Sequence, residues 1–169
     1  MATVAKHTQS DIAELDIRPL TPLTGAEIHG VDLARPTPEM VAAIRAALLR
    51  HKVVFFRNQT LTTAQHIAFA RLFGDLEIHP ATPKDQPNPE VLRIEHGPNS
   101  RGIENAWHSD VTWRESPSLG SILRAIEVPE VGGDTLFVDR TAAYDLLSPE
   151  MQRFVCGLTA VHDIARAFA

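Results

Sequence analysis

An imidazole and a carboxylate two positions apart have the clearest chemical potential in this sequence: His108-Ser109-Asp110, preceded by Trp107. In an extended segment, side chains at positions i and i+2 point to the same side of the chain. A histidine and a carboxylate on one side supply two of the three protein ligands of a facial Fe(II) site, whose remaining positions stay open. This pair, called the HxD motif below, therefore favours an O2-activating metal site. A motif this short also occurs by chance, so it needs support from elsewhere in the chain.

A glycine pair followed by Asp134 and Thr135 is the second notable cluster. From the residues alone it predicts a hairpin turn, because Gly132-Gly133 tolerates the positive φ angles that tight turns require. Thr135 would then begin a strand, where its hydroxyl could donate to a carboxylate. His79, between Ile78 and Pro80, by itself indicates only a surface loop histidine.

The bulk properties exclude several classes of protein. The chain has 169 residues, which suits one domain with a real core, and a net charge of −5 with scattered Lys and Arg argues against a nucleic-acid binder. Cys156 is the single cysteine, so no internal disulfide is possible, and its apolar neighbours predict a buried thiol. No signal peptide or apolar run of about 20 residues is present, so we expect a cytoplasmic protein without a membrane partner.

The spacing of apolar residues predicts the elements that must position these side chains. Residues 1–16 are polar, and we expect them to be loosely ordered. Helices are predicted at 38–51, 141–147 and 148–156. A further helix is predicted from Thr62 to the stop at Gly74, with Ile67, Ala68 and Leu72 facing inward. Residues 80–89 contain four prolines and predict a loop. Strands are predicted at 17–20, 26–31, 53–56, 91–94, 108–113, 121–126, 134–138 and 158–162. Strands with helices mostly before and after them indicate an α+β protein.

Taken in order, these pieces closely resemble the taurine dioxygenase (TauD/TfdA) family of Fe(II)- and 2-oxoglutarate-dependent dioxygenases. The resemblance covers nearly the whole chain after about the first dozen residues. It is carried by residues 25–33, 53–57, 73–74, 107–112, 117–125, 129, 132–135, 143–144, 157–158 and 162–163.

The resemblance implies a double-stranded β-helix (jelly roll) core with flanking helices and a metal at one mouth of the barrel. It implies that His108 and Asp110 are the first two iron ligands and that Thr135 contacts a carboxylate of 2-oxoglutarate. It also implies that His79 and Val111 contact the substrate. The partners would be Fe(II), 2-oxoglutarate, O2 and a small anionic molecule (an alkyl sulfate, sulfonate or aryloxyalkanoate), with succinate and CO2 as products. Family habit further implies a homo-oligomer.

The sequence departs from the family in two ways. The family's distal histidine ligand and its 2-oxoglutarate-binding arginine come from strands well beyond Asp163, whereas this sequence ends at Ala169. Residues 17–169 are therefore expected to be the larger N-terminal part of a dioxygenase domain, incomplete at its C-terminus. Thr82 and Glu104 stand where taurine-using members have a tyrosine and an asparagine. A carboxylate at position 104 would repel a sulfonate, so taurine itself is disfavoured.

A non-catalytic β-sandwich module for binding or assembly is the alternative function. Such a module would keep the fold but would have lost the distal histidine and arginine, and their absence from this sequence favours it. A reading frame that continues beyond Ala169 into strands with a histidine and then an arginine would favour the enzyme instead.

Overall fold

In a computed structural model, the described residues are 15–80, 82, 83, 85–97 and 107–163. The chain divides into two units, which we call the sheet unit (Met1–Phe69 and Thr135–Asp145) and the HxD unit (Ala70–Asp134 and Leu146–Ala169). Most of the segment predicted to be loosely ordered, residues 1–14, lies outside the described residues, as does Glu104. The prediction of a single dioxygenase domain over residues 17–169 stays a prediction.

The sheet unit contains a mixed three-stranded sheet of order β1-β2-β3, formed by β1 (Asp16–Pro19), β2 (Ala26–His29) and β3 (Val54–Phe55). β1 and β2 are antiparallel, whereas β2 and β3 are parallel. Alternate residues of β2, Ala26 and Ile28, are buried, as the period of two along a strand requires. All three strands were predicted, although β3 is shorter than expected and only half-buried.

Helix α1 (Pro38–His51) has the predicted bounds. The Thr37 hydroxyl accepts a hydrogen bond from the Met40 amide at 3.2 Å, and proline occupies the first helical position, where its missing N–H has no cost. Ile44 and Ala47, three positions apart, are buried and provide the core of the sheet unit on this helix.

Helix α2 (Thr63–Arg71) begins at the predicted capping box. The Gln65 amide donates to the Thr62 hydroxyl at 3.2 Å, and the Thr62 amide donates to the Gln65 side chain at 2.9 Å. The predicted inward stripe is wrong, because Phe69 is the buried residue whereas Ala68 and Leu72 are exposed and Ile67 is half-buried. Helical spacing defines a stripe, but the neighbouring elements decide which stripe is covered.

Two short helices follow, α3 (Arg140–Asp145) and α4 (Pro149–Cys156). The Ser148 hydroxyl caps α4 by accepting from the Met151 amide at 3.3 Å, as the sequence predicts. The expected burial of Cys156 is wrong, because its side chain is exposed on a helix that has no buried residue. Within the described part of the chain, no helix is long and apolar enough to cross a membrane.

The remaining predicted strands are absent from the described residues. Residues 91–94, 108–113, 121–126, 134–138 and 158–162 form no β-strand, and residues 110–113 form a turn instead. Alternating apolar residues favour an extended chain, but a strand also needs a second segment that pairs with its backbone N–H and C=O groups. The helices and the mixed sheet confirm the α+β class, whereas the double-stranded β-helix core stays a prediction.

Candidate metal centre

The two side chains of the HxD motif converge. His108 Nε2 lies 3.4 Å from Asp110 Oδ1, and the two side chains are 59% and 64% exposed. The strand predicted at 108–113 is absent, because residues 107–109 have no regular secondary structure and a turn begins at Asp110. Both groups are nevertheless close together and accessible to an ion from solvent.

The turn after Asp110 is tight and partly strained. Val111 has a φ of +48°, and its carbonyl accepts from the Arg114 amide at 3.1 Å. A β-branched residue in this left-handed region costs on the order of 1–3 kcal/mol. Val111 is only 8% exposed, so other residues cover it. Its implied contact with substrate stays a prediction.

The chemistry of the donor set fits a divalent metal ion. Two donor atoms that each lie about 2.1 Å from one ion, at about a right angle, are about 3.0 Å apart. The observed 3.4 Å between His108 Nε2 and Asp110 Oδ1 is close to that value. A direct contact between an imidazole and a carboxylate, without a metal, can have a similar distance. Among the residues that the structure describes, no group of three or more His, Cys, Asp or Glu side chains could hold a metal. That His108 and Asp110 are metal ligands therefore stays a prediction, and the described residues offer no third His, Cys, Asp or Glu beside them.

Two hydroxyl groups near the HxD motif make contacts that were not predicted from the sequence. The Ser121 hydroxyl donates to Asp110 Oδ2 at 3.2 Å, which leaves Oδ1 facing His108. His162 Nδ1 lies 2.9 Å from the Thr112 hydroxyl, a contact across 50 positions in sequence. A hydrogen bond of the kind that Ser121 makes to Asp110 orients metal-binding carboxylates in many sites. The spacing of the residues could not reveal either contact, since both depend on the path of the chain.

The other predicted site residues occupy two different units. His79 belongs to the HxD unit and is half-buried, and its carbonyl accepts from the Thr82 amide at 2.9 Å. Thr135 is exposed and belongs to the sheet unit. Gly132 and Gly133 adopt the positive φ angles expected of them, +79° and +73°, but the predicted hairpin is absent because residues 121–126 and 134–138 form no strands.

Comparison with known proteins identifies the family. The family described as taurine catabolism dioxygenase TauD, TfdA family matches residues 16–169. The chain belongs to the TauD/TfdA family. It is 38% identical over 167 residues to an alpha-ketoglutarate-dependent sulfate ester dioxygenase of Pseudomonas putida, covering 96% of this chain and 54% of that protein. It is 36% identical to an alkylsulfatase of Acinetobacter baylyi, covering 91% of this chain and 49% of that protein.

A solved structure agrees with this assignment. The crystal structure of a taurine dioxygenase from Burkholderia xenovorans matches with a TM-score of 0.74 and 43% sequence identity. The match covers 85% of this chain and 51% of that one. This TauD/TfdA chain thus spans about half the length of the relatives that it matches.

Proposed function

We propose that this chain provides the first two iron ligands of an Fe(II)- and 2-oxoglutarate-dependent dioxygenase. The convergence of His108 and Asp110 at 3.4 Å, in a chain that belongs to the TauD/TfdA family, carries the proposal. An imidazole and a carboxylate are two of the three ligands that a facial Fe(II) site requires. The jelly-roll core implied by the resemblance belongs to the same proposal.

Each predicted site residue has a distinct role in this proposal. His108 and Asp110 hold Fe(II), and the Ser121 hydroxyl keeps Asp110 Oδ2 occupied so that Oδ1 is presented beside His108. Thr135 steadies a carboxylate of 2-oxoglutarate, whereas His79 and Val111 meet the substrate. When bound, iron and 2-oxoglutarate supply the O2-dependent oxidation of an unactivated C–H bond, with succinate and CO2 as products.

The proposed substrate is a small anionic organic molecule, with sulfate esters first among the candidates. The names of the Pseudomonas putida and Acinetobacter baylyi relatives support this class. Thr82, where taurine-using members have a tyrosine, is 7% exposed and provides a small side chain close to His79 in sequence. A homo-oligomer is part of the proposal only by family habit.

Anaerobic titration of the full-length protein with Fe(II) in the presence of 2-oxoglutarate tests the metal site. We expect a weak visible charge-transfer band, and we expect Asp110→Ala to lower the apparent Fe(II) affinity by about a hundredfold or more, because a charged ligand is lost. Asp85→Ala, which removes an exposed carboxylate from the proline-rich loop, is the control and should leave the band unchanged. A band that survives in Asp110→Ala would show that the ligand assignment is wrong.

A binding or assembly module without catalysis is the second candidate function. It is favoured by the metal-ligand set of the described residues, which contains no third histidine or carboxylate near the HxD pair. If the full-length protein bound neither Fe(II) nor 2-oxoglutarate in the same titration, this second function would replace the first.

A further inference from the structure

Two segments of the HxD unit are joined by a polar cluster of Glu77, Arg114 and Ser118, called the Glu77 cluster below. Glu77 lies two residues before His79, and Arg114 lies four residues after Asp110. Arg114 Nη2 is 2.7 Å from Glu77 Oε1, and the Ser118 hydroxyl donates to Glu77 Oε2 at 2.6 Å. Glu77 Oε2 thus accepts a hydrogen bond, whereas the buried Oε1 has a close ionic contact with Arg114 but no hydrogen-bond partner among the described residues.

The ion pair of this cluster is partly shielded from solvent. The Glu77 side chain is 22% exposed and the Arg114 side chain is 43% exposed. Partly buried charges are screened less by salt than exposed ones, and a carboxylate that lost its cation here would keep its charge without full hydration. Separation of Glu77 from Arg114 is consequently unfavourable, which holds their two segments together.

Arg114 also closes the turn that begins at Asp110. Its backbone N–H donates to the carbonyl of Val111 at 3.1 Å, and Val111 is the residue with a φ of +48°. A β-branched residue keeps such a φ only where the surroundings determine its conformation. Because the Arg114 side chain is fixed to Glu77, the cluster supplies one constraint on this turn and hence on Asp110.

The cleft beside the cluster does not suit the proposed substrate. It has a volume of about 450 Å³, and its charged lining residues are Asp75, Glu77 and Arg114. Two carboxylates against one guanidinium leave a net negative charge, which repels an anion. Positioning is therefore a better account of the cluster than substrate binding.

We infer that Glu77, Arg114 and Ser118 are positioning residues that hold the His79 segment to the turn carrying Asp110. The inference rests on the proposed function, in which Asp110 binds iron and His79 meets the substrate. The cluster acts through those two residues and makes no contact with the reacting atoms. We expect the cluster to affect how tightly 2-oxoglutarate consumption is coupled to product formation. A displacement of a reacting group by about 1 Å can cost about a hundredfold in rate.

Arg114→Gln in the full-length protein tests this inference. With hexyl sulfate as the probe, we expect KM to rise about tenfold or more and 2-oxoglutarate to be consumed without product. In the metal-free protein, we expect faster amide hydrogen exchange in residues 75–80 and 107–118 together. Arg93→Gln is the matched control, because it removes the exposed Arg93–Glu95 pair, which has the same 2.7 Å distance, and it should change none of these.

Two further variants keep the test decisive. The exchanged pair Glu77→Arg with Arg114→Glu should restore coupling, and Ser118→Ala should show the same changes to a smaller extent even if Arg114→Gln does not fold. Loss of thermal stability alone, with KM, coupling and exchange in residues 75–80 unchanged, would overturn the inference. If the wild-type protein binds no iron, the proposed function fails, whereas hydrogen exchange still decides whether the cluster joins the two segments.

Discussion

At the scale of single residues, the HxD pair depends on backbone conformation as much as on residue type. His108 Nε2 and Asp110 Oδ1 lie 3.4 Å apart, and the chain turns immediately afterwards, where Val111 has a left-handed φ of +48°. The Ser121 hydroxyl then engages the second oxygen of Asp110. Ser121, a residue outside the motif, thus helps to orient the Asp110 carboxylate.

The pairing of Glu27 with Arg57 gives a pH dependence at the same scale. Two guanidinium nitrogens of Arg57 lie 2.7 and 2.8 Å from Glu27 Oε1, and this hydrogen bonding holds the pKa of Glu27 below its ordinary value. A lowered folded-state pKa stabilises the fold above the unfolded-state pKa, and that stabilisation is lost as the pH falls through the folded-state pKa.

Arg57→Gln is therefore expected to lower the free energy of unfolding near neutral pH and to converge with the wild type in acid. Denaturant titrations between about pH 7 and about pH 3 measure the difference. Arg35→Gln, which removes the more exposed Arg35–Asp32 pair at 3.5 Å, is the control and should have the smaller effect. A constant difference at every pH would contradict this account.

At the scale of elements, the helices begin where short-range chemistry allows. Thr37, Thr62 and Ser148 each accept a hydrogen bond from a backbone amide three residues later. Glu39, in the first turn of α1, has a pKa below its ordinary value because it accepts hydrogen bonds from its own backbone amide and from Thr37. These contacts satisfy N–H groups that have no partner inside the helix.

Replacement of the α1 cap tests how much such a contact contributes. Thr37→Ala should lower the free energy of unfolding by about 1 kcal/mol, because the Met40 amide loses its acceptor. Thr37→Ser keeps a hydroxyl at the cap and should cost much less. Urea denaturation measures both, and equal losses in the two variants would mean that the cap hydrogen bond is not the cause.

At the scale of the whole molecule, the two units differ in how they bury apolar residues. The sheet unit buries Ala26, Ile28, Ile44 and Ala47 at 4% exposure or less. In the HxD unit, Leu123, Ile126, Val131 and Val161 are at least 76% exposed. Contact of such large apolar side chains with water is unfavourable, so this unit has more exposed apolar residues available to a nonpolar ligand.

The 169-residue chain is consequently expected to bind an apolar dye such as anilinonaphthalene sulfonate. Leu123→Ser combined with Ile126→Ser should reduce the fluorescence clearly, since both side chains are more than three-quarters exposed in the HxD unit. Leu49→Ser, at an exposed position of α1, is the control and should have little effect. Absence of dye binding would contradict the exposure described for this unit.

The sequence by itself determined whatever depends on neighbours a few positions away. The bounds of α1, the caps of α2 and α4 and the positive φ angles of Gly132 and Gly133 follow from hydrogen bonds and φ preferences within five or fewer residues. Strands β1 and β2 were predicted from their residue types, although the residues that they pair lie 7 to 13 positions apart. The HxD motif and the family were also predictable from residue order.

Only the tertiary structure decided what depends on distant segments. A turn lies within the predicted strand at 108–113, Phe69 is buried instead of Leu72, and Cys156 is exposed. Arg114 contacts Glu77, which lies 37 positions earlier in the sequence. The physical reason is that strand pairing, burial and ion-pair contact are properties of two segments together. Side-chain spacing along one segment specifies which face is apolar, but not what covers it.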